Sequence, residues 1–323
     1  MQYRQLGRTG VKVSSVCLGT MTFGGEADEA EAARIFERSL GAGVNFVDTA
    51  DVYNAGRTEE IVGRLMKGRR DDIVLVSKVF GRAYPEPNSG GSSRRHIVRA
   101  VEASLRRLGT DRLDVYLLHQ FDVNVSLEET LRALDDLVRR GLVLYVGASN
   151  FAAWQYMKAI GISERAGLER FAVIQPMYNL VKRQAEVEIL PLALAERLGV
   201  MAFSPLGAGL LSGKYGAAGV SGRLVDNARY HTRYGHESYA ETAERFVAYA
   251  RRVGVDPVTL AVAWCSSHPA VTAAIVGARS VEQLEPSLAA AEFVMSETMR
   301  DEITALSPEV PPAHDRREEA ATG

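Results

Sequence analysis

Four side chains early in the chain have the types needed to place a proton on a carbonyl oxygen: Asp48, Tyr53, Lys78 and His119. A free tyrosine has a pKa near about 10, so by itself it is a poor acid or base at neutral pH. A neighbouring ammonium favours the phenolate and lowers that pKa. Lys78 can supply the charge, and Asp48 can hold the lysine in place and keep it protonated. His119 can donate a hydrogen bond to a carbonyl oxygen and orient it. The four together offer general acid catalysis, with Tyr53 as proton donor, and electrostatic support for a developing alkoxide. Singly, each has an ordinary explanation. An Asp after a strand often caps a turn, a Lys at a strand end can snorkel to solvent, and a lone His or Tyr is more often a packed core residue.

Joint placement carries the argument. A helical pattern ending in Gly, then a short apolar run, then polar residues, recurs along the chain. Leu40-Gly41-Ala42-Gly43 precedes Val44-Asn45-Phe46-Val47 and Asp48; Arg197-Leu198-Gly199 precedes Val200-Met201-Ala202-Phe203 and Ser204. Gly past a helix end supplies a left-handed cap, and apolar runs alternating with helices read as parallel strands buried on both faces. Eight strands are expected, centred on 16–19, 44–47, 73–77, 114–118, 142–146, 172–175, 200–203 and 273–276. Helices are expected to begin near Asp28, Arg57, Ser93, Ser126, Asn150, Ala185, Asp256 and Ser280. Ser126 with Glu129 reads as a capping box, and Asp256-Pro257 as a cap before a first-turn proline. The expected architecture is an α/β fold, a (β/α)8 TIM barrel with an N-terminal β-hairpin over residues 1–13 and a C-terminal helix. Residues 1–310 form one barrel domain in this reading, and 311–323 a disordered tail.

Asp48, Ser77-Lys78, His119, Ser149-Asn150, Gln175 and Ser204 all fall at the ends of expected strands. In a parallel barrel those ends share one face, where active sites of this fold sit. Neighbouring strands lie about 4.7–4.9 Å apart, close enough for the four side chains to converge. A doubly wound open sheet is the competing architecture, but it needs a glycine-rich phosphate loop after its first strand. Gly41-Ala42-Gly43 precedes a strand and lacks the third Gly, Gly207-Ala208-Gly209 has Ser212 at the third place, and Gly213-Lys214 lacks the other residues of a P-loop.

Composition sets the remaining bounds. The chain has 323 residues, 46% hydrophobic and 24% charged, with a formal net charge of −2. Bulk charge therefore suggests no nucleic-acid or membrane partner. Cys17 and Cys265 are too few for a disulfide framework and read as small buried hydrophobes. With no signal-like or membrane-length apolar run, the expected location is the cytoplasm.

The chain resembles the aldo-keto reductase family, in its bacterial-type members, from about residue 3 to about 295. The resemblance is carried by Leu6-Gly7-Arg8-Thr9-Gly10, Leu18-Gly19-Thr20-Met21, Asn45 to Ala50, Tyr53, Ser77-Lys78, Leu118-His119, Gly147 to Phe151, Gln175 to Leu180, Ser204-Pro205-Leu206 and Gly209 to Lys214. The family's Asp-Tyr-Lys-His tetrad then falls on Asp48, Tyr53, Lys78 and His119. The resemblance implies an NADPH/NADP⁺ site without a Rossmann fold. Gly19, Thr20, Met21 and Asp48 would border it. Ser149, Asn150 and Gln175 would hold the nicotinamide carboxamide, and Phe203 would stack on its ring. The loop through Ser204, Pro205, Leu206, Gly209, Leu211 and Lys214 would cross the pyrophosphate. Gly277, Arg279 and Gln283 would meet the adenosine end, with Arg279 reading a 2′-phosphate and so favouring NADPH over NADH.

The substrate end is less defined. Phe23, Tyr84 and Trp154, beside Tyr53 and His119, are candidates for its walls. The stretch 216–240, rich in Tyr, His and Arg, reads as an inserted lid or a polar pocket. An aldehyde or ketone is expected, with sugar-like and keto-sugar compounds among the candidates. No metal is expected, because a metal hydrolase on this barrel would need His and carboxylate ligands at several strand ends. The alternative to a reductase is an NADPH-binding sensor with slow turnover, since relatives of this architecture serve as regulatory subunits of ion channels. The assembly is expected to be a monomer or small homo-oligomer.

Overall fold

The structure, a computed structural model, describes residues 1–82, 85–216 and 222–314. Strands β1 (Tyr3–Gln5) and β2 (Lys12–Ser14) form an antiparallel hairpin, turned through Thr9 and Gly10 as expected. Then follow β3 (Val16–Gly19), α1 (Glu29–Gly41), β4 (Phe46–Asp48), α2 (Arg57–Leu65), β5 (Val74–Val79), α3 (Arg94–Leu108), β6 (Leu113–Leu118), α4 (Leu127–Arg139), β7 (Val143–Ser149), α5 (Ala153–Ala166), β8 (Val173–Gln175), α6 (Ile189–Ala195) and β9 (Gly199–Ala202). The chain continues through α7 (Arg223–Asp226), α8 (Ala228–Tyr234), α9 (Glu237–Arg252), α10 (Pro257–Ser266), β10 (Ala273–Val276), α11 (Val281–Ala289) and α12 (Glu297–Thr304). Strands β3 to β10 close into one parallel barrel, with β10 pairing both β9 and β3. The fold is a (β/α)8 barrel with an N-terminal hairpin and a C-terminal helix.

Two apolar layers hold it. Inside the barrel, Cys17, Phe46, Val76, Val115, Leu117, Val173, Met201 and Ile275 pack together, and Leu6 and Val13 of the hairpin join them. The hairpin thereby stops the barrel at the end opposite its strand C-termini. Its approach is close: a side chain on Gly7, at φ +55°, would meet the Gly199 nitrogen at 2.4 Å. The second, larger layer lies between strands and helices. Helix α10 is buried along most of its length, with Leu260 to Ser266 all inside. Cys17 and Cys265 are free thiols and buried.

Several helix starts follow the sequence rules. Asp28 accepts from the Glu31 N–H and Ser93 from the His96 N–H, and Asp256 accepts from Val258 and Thr259 ahead of Pro257. Helix α4 starts at Leu127 with Ser126 as its cap residue, where expected, but the capping box does not form: Ser126 makes no side-chain cap bond, and the Glu129 carboxylate accepts from the Arg94 N–H at 3.1 Å. Two expected starts move. Asn150 does not open a helix: it sits at φ +56° and α5 starts at Ala153. Asn tolerates that left-handed conformation better than most side chains. The helix expected near Ala185 begins as a single 3-10 turn, and α6 itself starts at Ile189. The stretch read as an insertion holds α7, α8 and the start of α9. Within it, 217–221 lie outside the described residues, as do Tyr84 and, of the expected tail, 315–323. No helix among the described residues is long and apolar enough to cross a membrane.

Candidate active site

The C-terminal ends of β4, β5, β6, β7 and β8 bring the expected polar residues together. Parallel register sets Gly19 beside Asp48 and Ser149 beside Gln175. The Lys78 ammonium, fully buried, donates to Asp48 Oδ2 at 2.7 Å, to the Thr49 carbonyl at 2.8 Å and to Tyr53 Oη at 3.3 Å. Three acceptors use all three donors of the ammonium. The Tyr53 and His119 rings meet edge to face, their centroids 6.1 Å apart.

Hydrogen bonds continue around the barrel mouth. Gln175 Nε2 donates to Asp48 Oδ1 at 2.8 Å, and Ser149 Oγ donates to the Gln175 carbonyl at 2.8 Å. Asn150 Nδ2 donates to Ser149 Oγ at 3.0 Å and to the His119 carbonyl at 2.9 Å. A circuit thus runs from Tyr53 through Lys78, Asp48, Gln175, Ser149 and Asn150 to His119. Thr20, directly after β3, secures it, its hydroxyl and N–H both donating to the Asp48 carbonyl, at 2.9 and 3.0 Å.

Electrostatics divide the roles. Burial would lower the Lys78 pKa, but Asp48 and Tyr53 outweigh it and the net shift is upward, so the ammonium stays charged. Burial is also the largest influence on Tyr53 and pushes its phenol up; Lys78 opposes this and Asp48 adds to it. The lysine therefore moderates the tyrosine rather than bringing it below its ordinary value, and Tyr53 remains a protonated phenol at neutral pH. His119 is pushed down to about 3 by burial, then by Lys78 and Arg229, so its imidazole is neutral and carries one N–H.

The loop after β9 is wound tightly. Ser204 and Ala208 sit at φ 58° and 59°, with Gly207, Gly209 and Gly213 also at positive φ. Successive turns of this kind can point backbone N–H groups into an anion-binding hollow. Pro205 and Leu211 are buried beneath, Leu206 is half-buried, and Lys214 is exposed over the Tyr215 ring at 4.7 Å with no ion pair among the described residues. That donor set suits a pyrophosphate. Phe203 is half-buried at the barrel mouth, paired with Met177 in an isolated bridge. After β10, Gly277 is exposed, and Gln283 accepts from the Arg279 N–H at 3.2 Å. Arg279 also meets Glu26 at 3.3 Å, and Arg223 meets the same carboxylate at 2.7 Å.

The expected walls separate. Trp154 is 59% exposed and leans on Phe121, centroids 5.9 Å apart, while Met21 is 38% exposed at the rim. Phe23 is fully buried in the outer core, so it faces no open pocket; its carbonyl accepts from Asn54 and Thr58. Sequence reasoning did not single out Arg229, which weighs on His119, or Phe121 two places after His119. The Tyr-, His- and Arg-rich composition of 216–240 was the available signal for Arg229.

A closed parallel barrel with these side chains at its strand ends defines a class of oxidoreductase, and sequence comparison specifies it. A sequence model of the Aldo/keto reductase family matches residues 15–308, and the chain belongs to that family. It is 39% identical to the uncharacterized oxidoreductase YrpG of Bacillus subtilis, over 91% of this chain and 92% of that one. It is 36% identical to a probable voltage-gated potassium channel subunit beta of Arabidopsis thaliana, over 91% and 92% of the two chains. It is 32% identical to the versiconal hemiacetal acetate reductase of Aspergillus parasiticus, over 92% and 94%.

Proposed function

We propose that the protein reduces an aldehyde or ketone to the alcohol with NADPH, Tyr53 acting as general acid. The observation that carries this reading is the Lys78 ammonium, buried and bonded to both Asp48 and Tyr53, beside a neutral His119. When bound, the nicotinamide cofactor supplies the hydride. Tyr53 gives its proton to the carbonyl oxygen, and Lys78 stabilises the phenolate left behind at Oη. Asp48 keeps Lys78 charged and aimed. His119 orients the oxygen through its single N–H.

Ser149, Asn150 and Gln175 would hold the carboxamide, Phe203 would stack on the ring, and the loop from Ser204 to Lys214 would take the pyrophosphate. Arg279 would meet the 2′-phosphate after parting from Glu26. The two buried thiols fit a reducing cytoplasm. Half-buried Tyr230 beside exposed Arg229 gives the mouth a polar side, which favours a hydroxylated, sugar-like carbonyl compound.

The test is NADPH oxidation against aldehydes, diketones and keto-sugars, with NADH in parallel. Many turnovers on one class support the reductase. The channel-subunit relatives bring the second reading, in which the protein binds NADPH tightly and turns it over slowly. Tight NADPH binding with no more than one turnover on every compound would favour that reading.

A further inference from the structure

Behind the reacting face lies a second set of buried polar groups. Asp51 follows Asp48 by three residues and precedes Tyr53 by two. Its N–H donates to the Lys78 carbonyl at 3.3 Å, yet its side chain is 2% exposed and neither carboxyl oxygen meets a hydrogen-bond partner in good geometry, the Val52 N–H lying near enough only to favour the charged form weakly. Its neighbour Glu59 is different. Fully buried, Glu59 accepts from Ser77 Oγ at 2.6 Å and from Arg107 Nε at 2.8 Å. A buried polar atom left without a partner is costly, so Asp51 needs an explanation.

Asp51 borders a cavity of about 10 Å³ walled on the other side by α3, through His96, Arg99 and Arg107. His96 Nε2 is likewise buried without a hydrogen-bond partner. A cavity of that size holds about one water, provided that polar groups meet it. Asp51 and His96 are such groups, one on the loop that carries Tyr53 and the other on a rigid helix.

We infer that this cavity is a single-water site joining Asp51 to His96, and that both are positioning residues fastening the Tyr53 loop to α3. The kinetic half of the inference rests on the reductase reading; the water site does not. The charged and titratable groups facing Asp51 are Lys78 of β5, Tyr116 of β6, Glu59 of α2, and His96, Arg99 and Arg107 of α3. Burial first, then Glu59, push the Asp51 carboxyl up to about 8 against the pull of Arg107. At neutral pH it is therefore mostly an acid with an O–H to donate. Burial and Arg99 hold His96 down, so it is neutral too. Two neutral groups can share a water without leaving a charge unpaired. Ionised Asp51 would instead face Glu59 and loosen the loop.

Thermal unfolding of wild type and Asp51→Asn across pH tests the buried acid without any substrate. A raised folded pKa means stability present below the unfolded value of about 3.9 and lost as pH rises through about 8. The variant should therefore gain on the wild type across that window and level off above it; a constant difference overturns the assignment. Kinetics test the positioning. Asp51→Ala and His96→Leu should each lower kcat about tenfold or more with NADPH Kd unchanged. Asp51→Asn should restore most of it and lack the fall in kcat through about pH 8 expected of wild type, leaving only the later fall as Tyr53 ionises. Unchanged kcat in Asp51→Ala, or a fall through about pH 8 retained in Asp51→Asn, overturns the positioning role. Absence of wild-type turnover on every carbonyl compound would sink the reductase reading instead, and the stability comparison would still decide the Asp51 site.

Discussion

Gln175 donates to the Asp48 oxygen that Lys78 does not use, at 2.8 Å. The carboxylate is thus held by two partners from separate strands, β5 and β8, and cannot turn away from the lysine. Removing its charge exposes the cost of the arrangement. Asp48→Asn leaves Lys78 fully buried without a counter-ion, a loss of about 3–5 kcal/mol for a pair of this kind. Calorimetry at neutral pH should show the drop, with the double variant Asp48→Asn/Lys78→Met less destabilised because neither an unpaired ammonium nor an unpaired carboxylate then remains inside. The raised Lys78 pKa fixes the alkaline side: the stability that the lysine's own titration contributes is complete below about 10.4 and is lost as pH rises through the folded value. A variant as stable as wild type would show that water reaches the lysine.

Tyr53→Phe isolates the proton. The ring remains, the Lys78–Asp48 bond remains, and only Oη goes. Loss of a general acid is worth about 10²–10⁴ in rate, so kcat should fall by that much while NADPH Kd stays close to wild type. Retained turnover would remove Tyr53 from the donor role.

His119 gives a prediction about acid. Its folded pKa of about 3 lies below the unfolded value of about 6.5, so the unfolded chain binds the extra proton between them. Stability assignable to this residue is intact above about 6.5 and lost as pH falls toward 3, by at most about 1.4 kcal/mol per unit. His119→Asn should therefore gain on wild type in acid and not at neutral pH. Chemical denaturation at several pH values measures this; parallel curves would mean the imidazole charges freely in the fold.

The barrel was legible because its strands are short, apolar and followed by polar residues, and all eight were expected within a few residues of where they stand. The same pattern placed Asp48, Lys78, His119 and Gln175 on one face. What the sequence did not show were partnerships made in space. Glu129 looked like a cap for Ser126 because the spacing was right, yet its carboxylate accepts from the Arg94 N–H of α3. Asn150 looked like a helix start because it follows a strand, yet its side chain bonds back to the His119 carbonyl. Phe23 was a candidate for a substrate wall, and the buried outer core claimed it. Helix α9 was missed because Tyr, His and Arg dominate the residues before it. Asp51 sits inside the most informative motif of the chain, and nothing in its spacing reveals that it is buried.

Arg279 is the residue expected to distinguish NADPH from NADH, and the structure shows what competes for it. Its guanidinium meets Glu26, which Arg223 also holds. A 2′-phosphate would have to take Arg279 from that carboxylate, so the affinity for NADPH includes the cost of breaking a half-exposed ion pair, at most about 1 kcal/mol. Two substitutions then act in opposite directions. Arg279→Ala removes a charge-assisted contact worth about 1.5–3 kcal/mol and should weaken NADPH by roughly ten- to a hundredfold, with NADH little changed. Glu26→Gln frees the arginine and should tighten NADPH by up to about fivefold, again with little effect on NADH. Fluorescence titration of both cofactors against both variants reads the four values. Equal losses of NADPH and NADH in Arg279→Ala would show that Arg279 does not read the phosphate. Weaker NADPH binding in Glu26→Gln would show that Glu26 positions the arginine instead of competing for it.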